Sequence, residues 1–276
     1  MQLLVLVALM LAMLLVSAGA TVAMTLSGVD ATSASGLRWV QCITQVLTFM
    51  VPVLLVVIIY YRSEGRRFLK ADFSGGKWLL GVAGVVVMLL LVPLNEWLVE
   101  WNDGWNLGRV GELMRGMQDQ TEGMVQKLLG TGSVGGLVAN LLVVALIPAV
   151  SEELFFRCGV QNLLQRWFRN PHWAIWVTAI VFSLGHGEVF SFMPQFVMGV
   201  ALGYMYVCGG SLVPNMLAHF VNNAIVVVLY WLDARGVLGV DPESPVAFGT
   251  LLTVCCTLAA LFLFWACFLK KQKTSE

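Results

Sequence analysis

Eight apolar stretches, each about as long as a bilayer is thick, dominate this chain. They fall near residues 3–24, 39–61, 78–99, 136–156, 172–186, 190–207, 211–232 and 246–269. About 20 apolar residues in a helix cross the ~30 Å hydrocarbon core, where every backbone N–H and C=O must be satisfied within the protein. None of the stretches alternates apolar and polar residues as a membrane barrel strand does. The expected fold is therefore all-α, a polytopic transmembrane helical bundle of about eight spans, forming a single membrane-embedded domain over residues 1–276. Composition agrees: 59% of residues are hydrophobic and 12% charged, roughly half the charged share of a soluble domain.

Basic residues set the expected orientation. Arg62, Arg66, Arg67, Lys70, Lys77, Arg157, Arg166, Arg169, Lys270, Lys271 and Lys273 fall toward one side, against Arg38, Arg109, Arg115, Lys127 and Arg235 on the other. Both termini are thus expected in the cytoplasm, in an integral protein of the inner or plasma membrane. The first stretch contains Ser17-Ala18-Gly19-Ala20, which resembles a signal-peptidase site. It is nevertheless long and lacks a preceding Lys or Arg, so it is expected to be retained as a span. Formal net charge is zero and no basic stripe runs along the chain, which argues against a nucleic-acid partner. The bilayer is the partner that composition implies, while oligomeric state is left open.

Cys42, Cys158, Cys208, Cys255, Cys256 and Cys267 lie in or beside apolar runs without CxxC spacing, and are expected to be packing residues. The connection from about 100 to 135 carries Val110, Leu113, Met114, Met117, Met124 and Leu128, mostly at helical spacing. It reads equally as an interfacial helix or a solvated, partly helical loop. Trp97, Trp101 and Trp105 fit an aromatic belt. The chain shows no internal repeat.

Ionisable groups inside the apolar stretches are few, and each costs about 2.5–3.5 kcal/mol at a helix centre on insertion scales. They fall in SEELFFR (Glu152, Glu153, Arg157), VFSLGHGEVF (His186) and PNMLAHFVNN (His219, Asn223). Residues four apart share a helix face, which pairs Glu153 with Arg157, Phe182 with His186, and His219 with Asn223. Glu152 points about 100° away from Glu153, so Arg157 can hold one carboxylate while the other stays available. Counted at 1.5 Å per residue, Glu152 and His186 lie ~20 Å and His219 ~12 Å from the cytoplasmic interface. The three are expected to meet in a cavity open to the cytoplasm. His172 is placed at the interface.

A buried carboxylate and two imidazoles suit the activation of water. In a metal-free version Glu152 takes a proton from water and returns it to a leaving amine, His219 and Asn223 stabilise an oxyanion, and His186 positions the water. In a metal version Glu152, His186 and His219 form a His₂Glu zinc site, although no HExxH is present. With Glu153 committed to Arg157, no free carboxylate is left to act as base beside such a metal, so no cofactor is favoured and Zn²⁺ is the possible one. A serine mechanism is weaker, since no GxSxG occurs.

Together the pattern Glu152-Glu153-x-x-x-Arg157, Phe182-x-x-x-His186 and His219-x-x-x-Asn223 resembles the three motifs of the CAAX protease and bacteriocin-processing family, also called CPBP or Abi. Similarity extends over about residues 136–228, including FVMGVALGYMYVCGGSLVPNMLAHFVNN. The flanking spans, 1–99 and 246–269, match only in being hydrophobic. The resemblance implies an intramembrane endopeptidase like the type II CAAX prenyl endopeptidases, acting on a peptide or protein substrate. It maps catalysis onto Glu152, His186, His219 and Asn223, with Glu153, Arg157 and Phe182 supporting. Family members have been described both as metalloproteases and as glutamate-dependent enzymes. Glu188, just after His186, is less usual. Two other readings use the same residues: a proton-coupled transporter with a Glu/His relay, and a non-catalytic bacteriocin-immunity or scaffold protein.

Overall fold

The computed structural model describes residues 1–70, 77–237 and 248–269. Among the described residues there are ten helices and no strand: α1 (Gln2–Leu26), α2 (Ala34–Tyr60), α3 (Gly65–Leu69), α4 (Lys77–Asp103), α5 (Gly108–Leu129), α6 (Val134–Phe168), α7 (Pro171–Gly185), α8 (Val189–Gly209), α9 (Val213–Ala234) and α10 (Thr250–Leu269). All but α3, α5 and α7 are long and apolar enough to cross a bilayer. The chain is a multi-pass integral membrane protein.

The expected fifth span is the shorter helix α7, whose 15 residues extend only about 22 Å. It starts sharply because Asn170 Oδ1 accepts the His172 N–H at 2.8 Å and Pro171 supplies the preset first turn. At its far end Gly187 takes φ 72°, a left-handed conformation that glycine adopts without strain. His186 is therefore a helix-end residue rather than one buried in a span. By contrast, α6 outruns its expected end at 156 and continues to Phe168. Its charged segment lies inside the helix instead of ending it.

Two proline-bearing helices share a local device. In α2 a wide π turn over Gln45–Met50 precedes Pro52, and in α6 one over Leu141–Leu146 precedes Pro148. Proline lacks the N–H for the i→i−4 bond and crowds that carbonyl, and widening the preceding turn accommodates both effects. A third π turn, Glu153–Gln161, follows directly. The wide turns thus begin at Gln45 in one helix and at Glu153 in the other.

Helices α7 and α8 approach closely through small residues. A Cβ on Gly199 would stand 3.1 Å from Ala179, and one on Gly203 would stand 2.8 Å from Ile175, so a larger residue at either position forces the helices apart. This contact places Phe182 in the bundle interior, where it is fully buried.

At one end of the bundle, α3 is tied to its neighbours by several contacts. Here Tyr61 stacks on Phe68 at 4.2 Å, Cys158 Sγ donates to Leu69 O at 3.1 Å, Asn162 Nδ2 donates to Phe68 O at 3.4 Å, and Leu212 N–H donates to Lys70 O at 3.0 Å. Lys70 Nζ sits 4.4 Å from the Tyr206 ring, and burial draws its ammonium below the usual lysine range. Gln2 joins this end by accepting from Tyr61 Oη at 2.7 Å. Lys270, Lys271 and Lys273, counted with the basic side, lie outside the described residues, as do 246 and 247 of the last expected span.

The opposite end carries α5, so the connection expected as either helix or loop is helical. Val110, Leu113, Met117 and Met124 are exposed, whereas Leu128 and Leu129 pack against Ala145, Val227 and Tyr230. Trp97 and Trp101 are exposed on α4, with ring centroids 6.4 Å apart. All six cysteines are free thiols, but only Cys158 is buried and Cys255 is exposed. Cys158 belongs to a core cluster, Cys208 and Cys267 pack against another, and only the exposed Cys255 departs from the expected packing role.

Candidate active site

Helix α6 carries Glu152 and Glu153 side by side, and the bundle treats them differently. Glu153 is fully buried and saturated. Its Oε2 accepts from Arg157 Nε at 3.0 Å and from Asn215 Nδ2 at 3.2 Å, while its Oε1 accepts from His219 Nδ1 at 3.1 Å. The expected pair with Arg157 is present, but it is only one of three contacts. Glu153 is the hub that joins α6 to α9.

Glu152 is held by one oxygen. Its Oε1 accepts from Gln45 Nε2 at 2.9 Å. Its Oε2 is buried with no hydrogen-bond partner and lies 3.8 Å from His219 Nε2, too far for a direct hydrogen bond. A water molecule beside these two atoms can donate to one and meet the other. Because a carboxylate only accepts, the Nδ1 that faces Glu153 carries hydrogen, and Nε2 is the nitrogen that His219 presents to Glu152.

His186 is exposed at the end of α7. Its Nδ1 lies 2.8 Å from Phe182 O; a carbonyl cannot donate, so Nδ1 carries the hydrogen and Nε2 is free to accept. The Phe182 ring is 4.6 Å from the His186 ring, 6.2 Å from the His219 ring, 5.5 Å from the Arg157 guanidinium and 5.0 Å from Phe156. Phe182 therefore ties the three motifs together. Asn223 is half-buried one turn beyond His219, and its Oδ1 accepts from Asn222 Nδ2 at 3.4 Å.

Among the described residues, no three His, Cys, Asp or Glu side chains converge closely enough to hold a metal ion. Glu152, His186 and His219 are accordingly not gathered at metal-binding distance of one another, although His219, with Nδ1 on Glu153 and Nε2 turned to Glu152, has the form of a histidine that could hold an ion through Nε2.

A cavity of about 470 Å³ adjoins the His186 turn, lined in part by Glu188, Phe190 and Ser191, with Glu100 and Asp103 of α4 and Glu122 of α5. Glu188 accepts from Gln195 Nε2 at 2.8 Å, and burial raises its carboxyl above the usual range, with His186 opposing that shift. The turn is fixed by Asn102, which is fully buried, donates to Val189 O at 3.0 Å and accepts from Met193 N–H at 2.8 Å. The lining residues place this cavity at the α5 end, and Glu152, His186 and His219 are not among them.

Sequence reasoning passed over Gln45, Asn215 and Asn102, and weighed Ser151 only for the weaker serine mechanism. The available signal was weak: uncharged polar residues in or at the ends of apolar stretches, far in sequence from the motifs they serve.

Comparison with known proteins agrees with the motifs. Residues 134–225, one third of the chain, match the family model described as Type II CAAX prenyl endopeptidase Rce1-like. No curated protein and no solved structure matches the chain. The matched residues carry Glu152, Glu153, Arg157, Phe182, His186, His219 and Asn223 together, and over this third of the chain the sequence is similar to the CAAX endopeptidases, a family of peptidases.

Proposed function

We propose that this chain is an intramembrane endopeptidase in which Glu152 activates water against a peptide bond. The observation that carries the reading is the division of labour between the two glutamates: three partners saturate Glu153, whereas Glu152 keeps one buried oxygen free beside His219 Nε2. Water gives a proton to Glu152 as its oxygen bonds to the substrate carbonyl carbon. The carbonyl oxygen becomes an oxyanion, which meets His219 when that imidazole holds a proton on Nε2, together with the Asn223 amide one turn away. Glu152 then passes its proton to the nitrogen of the breaking C–N bond, yielding an acid and an amine. His186 Nε2 accepts from water or from a substrate N–H at the mouth of the site.

The test is cleavage of a peptide library by the protein purified in detergent, with products identified by mass spectrometry. Cleavage that persists after chelation is the expected result. Loss of cleavage on chelation and recovery with Zn²⁺ would favour the metal reading, in which Glu152, His186 and His219 rearrange around the ion.

With the Lys/Arg-rich connections taken as cytoplasmic, the α5 end of the bundle is the outer one. In a variant lacking the native cysteines, Thr121→Cys should react with an impermeant maleimide on intact cells, and Arg169→Cys only after permeabilisation. The reverse pattern would place the α5 end on the cytoplasmic side.

A further inference from the structure

Gln45 lies outside the residues that match the family and belongs to none of the three motifs. It is buried at the start of the π turn in α2, donates to Glu152 Oε1 at 2.9 Å, and accepts from Ser151 Oγ at 2.7 Å. Ser151 Oγ also lies 2.8 Å from Ile147 O. A hydroxyl has one proton to give, and its donation to the Gln45 amide oxygen fixes the amide with an N–H toward the carboxylate. With Glu152 ionised, Oε1 accepts that N–H. With Glu152 protonated on Oε2, the oxygen that faces His219, Oε1 is the carbonyl oxygen of the acid and accepts the same N–H.

We propose that Gln45, backed by Ser151, is a positioning residue that holds Glu152 in both of its proton states. This rests on Glu152 being the group that takes and returns the proton. A base that must also serve as an acid passes through both states in each turnover, and a neighbour that satisfied only one would trap the proton or leave a buried oxygen unpaired. The Gln45–Ser151 pair serves both, because Oε1 accepts the same N–H whether or not Oε2 carries the proton. Throughout, Oε1 stays anchored and Oε2 stays turned toward His219. The wide turn beginning at Gln45 brings this polar side chain from a flanking span against α6.

The experiment compares Gln45→Leu, Ser151→Ala and Ser151→Thr with wild type, measuring peptide cleavage and the infrared carboxyl bands assigned to Glu152 by their absence in Glu152→Gln. Gln45→Leu keeps the volume but not the amide, and should lower kcat about 10- to 100-fold, the worth of a hydrogen bond to a charged group, with KM changed less than about twofold. Ser151→Ala should lose less than Gln45→Leu, and Ser151→Thr should retain wild-type kcat because the hydroxyl is kept. The Glu152 bands should shift in Gln45→Leu. Unchanged kcat and unchanged bands in both Gln45→Leu and Ser151→Ala would overturn the proposal. If the wild-type protein cleaves nothing, the peptidase reading falls, and the infrared comparison still decides whether Gln45 holds the Glu152 carboxylate.

Discussion

Glu152→Gln should lower peptide cleavage by about 10²- to 10⁴-fold, the usual contribution of a positioned general base, while leaving the fold intact. The glutamine side chain has nearly the same shape, and its amide still reaches Gln45 at the 2.9 Å contact now made by Glu152. It cannot take a proton from water. Stability should be little altered, because the free oxygen of Glu152 has no hydrogen-bond partner to lose. Glu153→Gln offers the contrast: it leaves the base in place but removes a charge that faces Arg157, Asn215 and His219. Its main effect should be on folding. The measurement is kcat together with thermal unfolding in the same detergent preparation. Cleavage by Glu152→Gln within about threefold of wild type would remove Glu152 from the chemistry and bring the scaffold reading forward.

The second large effect is expected at Arg157. Its side chain is fully buried and pairs with the fully buried Glu153. Two buried charges survive because each neutralises the other, and removing one strands its partner at a cost of about 3–5 kcal/mol. Arg157→Met, which keeps much of the volume, should destabilise the protein by about that amount. Combined with Glu153→Gln, the same change should cost far less than the sum of the two single effects. Arg157→Lys should fall between, since an ammonium preserves the charge but not the planar guanidinium that lies 5.5 Å from the Phe182 ring. Unfolding free energies of the four proteins in mixed micelles form the cycle. Additive single effects would show that Glu153 and Arg157 do not depend on each other for neutralisation.

Much of this molecule is legible in its amino-acid sequence. Spans show because lipid admits few polar residues, and Glu152, His186 and His219 stand out because burying such groups is costly, although His186 lies exposed at the end of α7. The four-residue spacings hold as well: Glu153 meets Arg157, and His186 meets the Phe182 carbonyl. Gln45 does not stand out, because an uncharged amide in an apolar helix is common glue between helices. It lies 107 residues from the carboxylate it holds, and spacing carries no information over that range. Asn102 is hidden for the same reason, since its partners Val189 and Met193 follow it by 87 and 91 residues.

The amino-acid sequence by itself determined that the chain spans a membrane as helices and which ionisable residues it buries, because hydrophobic run length and the cost of a charge in lipid are local properties. Only the tertiary structure decided which glutamate is free. That choice depends on Asn215 and His219 arriving from α9 to saturate Glu153 and on Gln45 arriving from α2 to anchor one oxygen of Glu152. It also decided that α7 stops at Gly185 and that the carbonyls of Phe68 and Leu69 in α3 meet Asn162 and Cys158 of α6, outcomes of packing between distant segments that no periodicity within a single helix encodes.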